Sequence, residues 1–233
     1  MERGRMAEVV LVHGAWHGAW CWGSVVAELN QLGVASTAVE LPLTGIAADV
    51  SEARAAIEAA GPGSVVVGHS YGGSVISLAA AGVPGIARLI YLAAFLAEPD
   101  ADTLAMITPE LGKAIRGGEG GTVTIDPAAA ADVFYGDADS GVAASMVARL
   151  RPLTLDLAAP PDAEPAWKSV PATYVVCAND RAIQVSAQRE MAMLAQMVVE
   201  WPTDHSPFLT RPAAVAELAA GYLGEWAALN SGG

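Results

Sequence analysis

A run of β-branched residues that leads directly into Gly-x-Ser-x-Gly is the feature of this chain that most restricts its fold. The run ends at Val67, the motif occupies residues 68–72, and a helical pattern of small residues follows from Ser74. This order predicts a buried strand, a tight turn at Ser70 and then a helix. The turn would lift the Ser70 hydroxyl clear of the sheet and close to the helix N-terminus, where backbone N–H groups stabilise negative charge.

The two glycines of the motif, Gly68 and Gly72, fit the same interpretation. A Cβ at either position would collide with the neighbouring strand or helix of so sharp a turn. The motif alone is only moderately specific, because the chain has 24 glycines. A glycine-rich turn that carries a solvated serine is the alternative, so the interpretation depends on the rest of the chain.

Five further apolar runs repeat the strand signal. The six runs are rich in Val, Ile, Leu and Tyr, and they cover residues 8–13, 35–41, 64–69, 88–95, 172–178 and 197–201. Most lack polar alternation, as expected of parallel strands that are covered on both faces. Helix-length segments lie between most of them, at 22–32, 47–60, 74–81, 185–195 and 211–229. The alternation predicts an α/β fold with a six-stranded, mainly parallel sheet flanked by helices.

One interval is too long to be a simple crossover. Residues 97–168 are rich in Gly, Pro and Asp and contain short helical pieces at 102–111 and 141–150. Inserts of this length in a compact domain usually have a function, such as a lid over a binding site. We therefore expect a core made of residues 1–96 and 169–233, with 97–168 as a small, mostly helical cap after the fourth strand.

Composition limits the partners of the protein. The net charge is −13, with only 12 Lys and Arg, so no basic surface for nucleic acid or anionic membranes is expected. No apolar stretch approaches membrane-spanning length, and no secretion signal is visible. The two cysteines, Cys21 and Cys177, have no framework spacing and are interpreted as reduced and buried. We expect a cytoplasmic protein without cofactor or metal; its oligomeric state is left open, with a homodimer as one option.

Three residues of complementary chemistry follow three of the predicted strands. Ser70 ends the third strand, Asp180 follows the fifth and His205 follows the sixth. In an open α/β sheet the ligand site lies at these carboxyl ends. The chain order Ser, Asp, His is that of α/β hydrolases. Ser70 would attack an acyl carbonyl, His205 would move the proton to the leaving alcohol, and Asp180 would orient the imidazole.

The acid of this set has alternative candidates. Asp180 could instead be a turn or N-cap residue. Asp204 adjoins His205 but is expected to point away from it, and Glu98 or Asp100 after the fourth strand would occupy an alternative acid position of this fold.

The loop after the first strand predicts an oxyanion hole. It begins His13-Gly14-Ala15, and the backbone N–H of Ala15 would pair with that of Tyr71. Gly14 would let the backbone approach the substrate. Three histidines nearby, His13, His17 and His69, are interpreted as structural hydrogen-bonding residues and not as metal ligands.

The substrate pocket is predicted to be apolar and partly aromatic. Its candidate lining residues come from the core and from the cap: Gly14, Trp16, Leu96, Met106, Phe134, Tyr135 and Trp167. Phe134 and Tyr135 have a second interpretation as packing residues of the cap. Such a pocket suits a small or medium uncharged ester.

The segments 13–22 and 68–73, with the surroundings of Asp180 and His205, resemble the plant methylesterase and hydroxynitrile lyase branch of the α/β hydrolases and its bacterial carboxylesterase relatives. The resemblance covers nearly all of the core and is weak in the cap. It implies carboxylesterase activity. The lyases carry a threonine and a lysine where this chain has Gly14 and Ser206, which disfavours cyanohydrin cleavage.

Of the other activities of the same fold, two are disfavoured and two remain as alternatives. Epoxide hydrolases and haloalkane dehalogenases need an aspartate where Ser70 stands. A hydrolase-fold ligand receptor would keep the triad but act through a partner protein. A natural-product acyl hydrolase or transferase would share the acyl-enzyme.

Overall fold

Six parallel strands form the central sheet. The computed structural model describes residues 7–98, 100–154, 156 and 163–230. The strands in these residues are β1 (Val9–Val12), β2 (Ser36–Val39), β3 (Val65–His69), β4 (Arg88–Leu92), β5 (Ile115–Gly117), β6 (Thr122–Ile125), β7 (Leu153–Thr154), β8 (Ala172–Cys177) and β9 (Met197–Trp201). The order across the main sheet is β2-β1-β3-β4-β8-β9, and every neighbouring pair is parallel. The predicted six-stranded α/β sheet is confirmed.

Helices connect the strands. They are α1 (Gly23–Gln31), α2 (Ile46–Ala60), α3 (Tyr71–Ala79), α4 (Pro109–Ala114), α5 (Pro127–Phe134), α6 (Ser140–Val147), α7 (Val185–Ala192), α8 (Pro207–Thr210) and α9 (Pro212–Asn230). Helix α1 packs against α9, and α2 packs against α3. Within the described ranges, no helix has the length and apolar character needed to cross a bilayer.

The four inner strands are almost completely buried, whereas the two outer strands are partly exposed. Every residue of β1 and β3 is buried, as are those of β8. In the edge strand β9, Met197 and Val198 are about half exposed, and in β2 only Val39 is buried. The prediction that all six strands are buried on both faces is therefore wrong at the edges. The physical reason is that β2 and β9 have a neighbour on one side only.

The glycines of the serine motif stand where the backbone is crowded. A Cβ on Gly68 would lie 2.6 Å from the Gly72 carbonyl oxygen. A Cβ on Gly72 would lie 2.6 Å from the Val12 carbonyl oxygen. The predicted collisions with the adjoining helix and strand are confirmed. Both cysteines are free and buried, as predicted.

The segment between β4 and β8 is not purely helical. Besides α4, α5 and α6 it contains an antiparallel sheet of β5, β6 and β7. The predicted helix over 102–111 is split into a 3-10 turn, Thr103–Met106, and α4, because Thr108 caps a new helix that starts with Pro109. Parts of the predicted cap (99, 155 and 157–162) and the N-terminal residues 1–6 lie outside the described residues.

Candidate active site

Ser70 occupies the turn between β3 and α3 in a conformation that few side chains adopt. Its φ is +53° and its ψ is −122°. The backbone is held there by its neighbours: the Ser70 N–H donates to the Leu92 carbonyl (3.3 Å), and the Ser70 carbonyl accepts from Phe95 N–H (3.1 Å). Such backbone strain persists only where the surroundings enforce it, and it is common at functional sites.

His205 and Asp180 form a buried pair. The Nδ1 of His205 lies 2.7 Å from Oδ2 of Asp180, and both side chains are almost completely buried. This contact assigns the proton to Nδ1 and leaves Nε2 of His205 as the nitrogen that can accept a proton from a hydroxyl.

Asp180 is held on both carboxylate oxygens. Oδ1 accepts from the backbone N–H groups of Ala182 (2.6 Å) and Ile183 (3.0 Å), and Oδ2 also accepts from Nε2 of Gln188 (2.7 Å). The Gln188 side chain in turn accepts from Cys177 N–H. Sequence reasoning missed Gln188; its only signal is a polar residue on the buried side of the amphipathic helix α7.

The backbone of His205 is tied to the residue before the serine. Nε2 of His69 donates to the carbonyl oxygen of His205 at 2.8 Å, and the two rings lie 4.6 Å apart between centroids. The ring of Phe134 packs against His205 from the cap side at 5.7 Å. The structure thus brings the Ser70 turn and the His205 loop together.

The rival acids are engaged elsewhere. Asp204 accepts from Asp137 N–H and Ser206 N–H through its two oxygens, and burial raises the pKa of its carboxyl. Glu98 lies at the cavity but pairs with Lys168 at 2.9 Å. Asp100 is exposed. In the described residues, Asp180 is therefore the carboxylate that contacts His205.

The loop after β1 touches the serine directly. A Cβ on Gly14 would lie 2.9 Å from the Ser70 Cβ and 2.9 Å from Nδ1 of His69. Neither the Ala15 nor the Tyr71 amide N–H donates a hydrogen bond to another described residue. Both residues border the same cavity as Ser70.

The three histidines around this loop hydrogen-bond within the protein, as predicted. His13 donates through Nδ1 to the Gly14 carbonyl and accepts at Nε2 from Leu41 N–H. His17 donates to the Ala15 carbonyl and stands 2.8 Å from the Tyr135 hydroxyl. Burial lowers the pKa of His13 to about 3 and that of His17 to about 4, and it lowers the pKa of His69 as well.

A mostly apolar cavity opens above Ser70. Its wall combines residues of the strand ends, of helix α3 and of the cap: Ala15, Trp16, Tyr71, Phe95, Ser74, Ser77, Leu78, Leu104, Ile107, Leu111, Ile115 and Leu153. Of the predicted pocket residues, Trp16 lines this cavity, and Gly14 lies behind it against Ser70.

The other predicted pocket residues do not line this cavity. Five residues are absent from the cavity wall: Leu96, Met106, Phe134, Tyr135 and Trp167. Leu96 is fully buried and its neighbours Phe95 and Ala97 line the cavity instead.

Phe134 and Tyr135 pack around His17. Their rings lie 5.5 Å and 5.9 Å from the His17 ring, and both side chains are buried. These contacts favour the alternative interpretation as packing residues of the cap. Both contacts are edge-to-face, a geometry that stabilises buried aromatic rings.

Comparison with known proteins identifies the family of the chain. The sequence model of the Alpha/beta hydrolase family matches residues 9–218. The chain is similar to alpha/beta hydrolase nvfD of Aspergillus novofumigatus (28% identity; 93% of this chain and 96% of the relative). It is also similar to methylesterase 2 of Arabidopsis thaliana (29% identity; 93% and 95%).

Solved structures share the fold. A pyrethroid hydrolase from Sphingobium faniae superposes with a TM-score of 0.81 at 24% identity, covering 94% of this chain and 98% of that one. The predicted resemblance to plant methylesterases is confirmed by the curated relatives. The chain therefore belongs to the Alpha/beta hydrolase family, and its fold and relatives are those of an esterase-type member.

Proposed function

We propose that the protein hydrolyses a small or medium uncharged carboxylic ester through an acyl-enzyme on Ser70. The observation that carries the proposal is the buried contact between His205 and Asp180, which stands beside a strained serine turn. The names of its relatives support ester chemistry: besides the methylesterases, a carbendazim hydrolyzing esterase of Nocardioides is 38% identical over 118 residues, 45% of this chain and 48% of that one.

The reaction follows from the roles of the three side chains. The Ser70 oxygen adds to the ester carbonyl carbon while its proton passes to Nε2 of His205. The C–O bond to the alcohol then breaks, and His205 returns the proton to the departing alcohol. Water repeats the sequence on the acyl-enzyme and releases the carboxylic acid. Asp180 holds His205 in the working tautomer and offsets the positive charge that the ring gains.

The proposed oxyanion hole consists of two backbone N–H groups. The amides of Ala15 and Tyr71 would donate to the carbonyl oxygen as it becomes negative. Their support is that both residues border the cavity at Ser70 and that neither amide has an acceptor among the described residues.

The cavity supports an uncharged substrate. Its wall is mostly apolar, and its one described carboxylate, Glu98, is neutralised by Lys168. Burying an anionic group there would cost its solvation without a cationic partner. We propose that residues 97–168 act as the cap that covers this substrate.

A fluorophosphonate label and an ester panel test the proposal. We expect the label on Ser70, and we expect turnover of short p-nitrophenyl esters that Ser70→Ala abolishes. The exposed serine of helix α6 offers a matched control, so Ser140→Ala should leave labelling and turnover intact. Folded wild-type protein that is not labelled at Ser70 would contradict the proposal.

The same samples separate the alternative functions. Tight ligand binding with negligible turnover and a ligand-dependent protein partner would support the receptor. Transfer of the acyl group to added alcohols or thiols in preference to water would support an acyltransferase.

A further inference from the structure

The segment that follows helix α6 holds the loop after β1 from outside the core. Arg151 N–H donates to the Trp16 carbonyl at 2.7 Å, and Thr154 N–H donates to the Leu43 carbonyl at 2.9 Å. Both acceptors are bulky residues with a left-handed φ, +62° at Trp16 and +59° at Leu43. A left-handed φ is unfavourable for such residues, so these two backbone contacts stabilise a conformation that the loops would not adopt by themselves.

The side chain of Arg151 adds a second set of contacts to the same loop. Nε and Nη2 donate to the His17 carbonyl at 3.1 Å and 2.9 Å, and Nη2 also donates to the Leu41 carbonyl at 3.0 Å. The guanidinium pairs with Glu40 at 2.5 Å, and the other oxygen of Glu40 accepts from Ala19 N–H. The planar guanidinium thus joins the loops that follow β1 and β2 through several directed hydrogen bonds.

Further contacts of the loop come from the cap and from within the loop itself. The Trp16 indole N–H donates to the Val123 carbonyl in β6 at 3.2 Å. Nδ1 of His17 donates to the carbonyl of Ala15. The Ala15 N–H shares its peptide plane with the Gly14 carbonyl, which accepts from Nδ1 of His13 at 2.8 Å and from the His17 N–H at 3.4 Å. The His17 N–H in turn shares its plane with the Trp16 carbonyl that accepts from Arg151 N–H, and the next plane carries the His17 carbonyl that accepts from the Arg151 side chain, so Arg151 holds the peptide planes on both sides of His17.

These contacts influence the direction in which the Ala15 N–H points. An oxyanion donor must lie within about 2.7–3.1 Å of the negative oxygen, and an error of about 1 Å can cost about 100-fold in rate. Between the end of β1 at Val12 and the 3-10 turn that begins at Ala19, the loop has no regular secondary structure to set this direction.

We infer that Arg151 is a positioning residue for the oxyanion hole: from the cap side it holds the loop so that the Ala15 N–H points into the site. The inference rests on the proposed function. Arg151 does not touch the substrate cavity, so it acts through the loop.

Two variants of Arg151 and one neighbour test the inference. Arg151→Met keeps the backbone N–H contact to the Trp16 carbonyl and an unbranched side chain of similar length, but this side chain donates no hydrogen bond. Arg151→Lys keeps the charge beside Glu40 but lacks the fork that reaches two carbonyls. Arg149→Met is the matched control, because Arg149 is exposed and stacks its guanidinium 4.5 Å over the Trp20 ring but donates no hydrogen bond to the Ala15, Trp16 or His17 carbonyl.

The readouts separate loop positioning from general stability. We would measure kcat and KM on p-nitrophenyl butyrate, thermal unfolding, and binding of two inhibitors. One inhibitor is an alkyl trifluoromethyl ketone: the Ser70 oxygen adds to its carbonyl carbon, the proton moves to His205, and the carbonyl oxygen becomes the bound anion. The other is the matching alkyl methyl ketone, which binds without that addition.

For Arg151→Met we expect kcat to fall about 10- to 100-fold while KM changes by less than about threefold. Affinity for the trifluoromethyl ketone should fall by about the same factor as kcat, and affinity for the methyl ketone should not change. Arg151→Lys should lie between this variant and the wild type. If Arg151→Met does not fold, the kcat and the ketone affinities of Arg151→Lys test the inference.

Three results would overturn the inference: an unchanged kcat in folded Arg151 variants, equal losses for both ketones, or the same losses in Arg149→Met. The proposed function fails in a different way. In that case the wild-type protein itself takes up no fluorophosphonate at Ser70. If the wild type is labelled and the Arg151 variants keep its kcat, only the positioning role is overturned.

Discussion

At the scale of single residues, Gly14 sets how closely the β1 loop approaches the nucleophile. An added Cβ would meet the Ser70 Cβ and the His69 ring, both at 2.9 Å, and neither group is free to move. We expect Gly14→Ala to remain folded, with a free energy of unfolding that is lower by about 1–3 kcal/mol. We expect kcat to fall about 100-fold, because the loop shifts away from Ser70.

Steady-state kinetics and thermal unfolding check this prediction. Gly23→Ala is the control, since a Cβ at Gly23 meets no atom within 4 Å. A Gly14→Ala variant with the wild-type kcat would show that the loop moves without consequence for the reaction.

Asp180 and Asp204 offer a second comparison at this scale. In Asp180→Asn, the amide group would put N–H donors or a neutral oxygen opposite two donors, Nδ1 of His205 and Nε2 of Gln188. We expect kcat to fall by about 10⁴-fold, the size of the loss that the same change causes in a serine protease triad. Asp204→Asn should change kcat by less than about threefold, because Asp204 contacts backbone N–H groups of other residues. Equal losses in both variants would contradict the assignment.

At the scale of secondary-structure elements, Arg54 joins helix α2 to the end of α3. Its Nη1 donates to the carbonyls of Ala79 (3.3 Å) and Ala81 (2.9 Å), where the helix leaves carbonyl groups unpaired. Arg54→Met should lower the free energy of unfolding by about 1–2 kcal/mol, because charged hydrogen bonds at a helix C-terminus are lost. The catalytic constants should not change.

Chemical unfolding measures this effect. The exposed ion pair of Arg54 with Glu58 is a separate contribution, and exposed pairs contribute less than about 1 kcal/mol. Glu58→Gln is therefore the control. A loss in Glu58→Gln as large as that in Arg54→Met would place the effect in the ion pair and not at the end of α3.

The elements also show where periodicity predicts structure and where it does not. The pattern over 65–69 predicts β3 because all its residues face the core. The short strands β5 and β7, of three and two residues, carry no such pattern. They form because β6 lies between them and pairs with both, a relation that appears only in the folded chain.

At the scale of the whole molecule, buried histidines make stability depend on pH. The pKa values of His13 and His17 fall to about 3 and about 4 in the folded protein, and that of His69 also falls, because burial disfavours the charged ring. Between pH 6.5 and about 4 the unfolded chain therefore binds more protons than the folded one. Stability rises with pH in this window and is lost on acidification, by up to about 1.4 kcal/mol per pH unit for each histidine.

Urea unfolding at pH 7 and pH 5 checks the sign. Two buried carboxyl groups act in the opposite direction, because burial raises the pKa of Asp49 and Asp204. His17→Gln isolates the histidine contribution: it should reduce the pH slope, since glutamine does not titrate. A free energy of unfolding that is equal or higher at pH 5 would contradict the prediction.

The amino-acid sequence by itself determined the order of the strands and helices and the residues at the strand ends. Apolar runs between glycine-rich turns indicated the sheet, and parallel strands bring their carboxyl ends to one edge. Ser70, Asp180 and His205 could therefore be predicted to lie near one another, although the first and the last are 135 positions apart in the chain.

Only the tertiary structure decided which side chains surround these residues. Arg151 reaches the His17 carbonyl across 134 positions of the chain, and Gln188 reaches Asp180 from another helix. Phe134 packs on rings and not on the cavity, whereas Leu104 and Leu153 line it. The physical reason is that local periodicity records which face of an element is apolar. Which neighbour covers that face depends on how the cap and the core pack, and no repeat in the sequence encodes that.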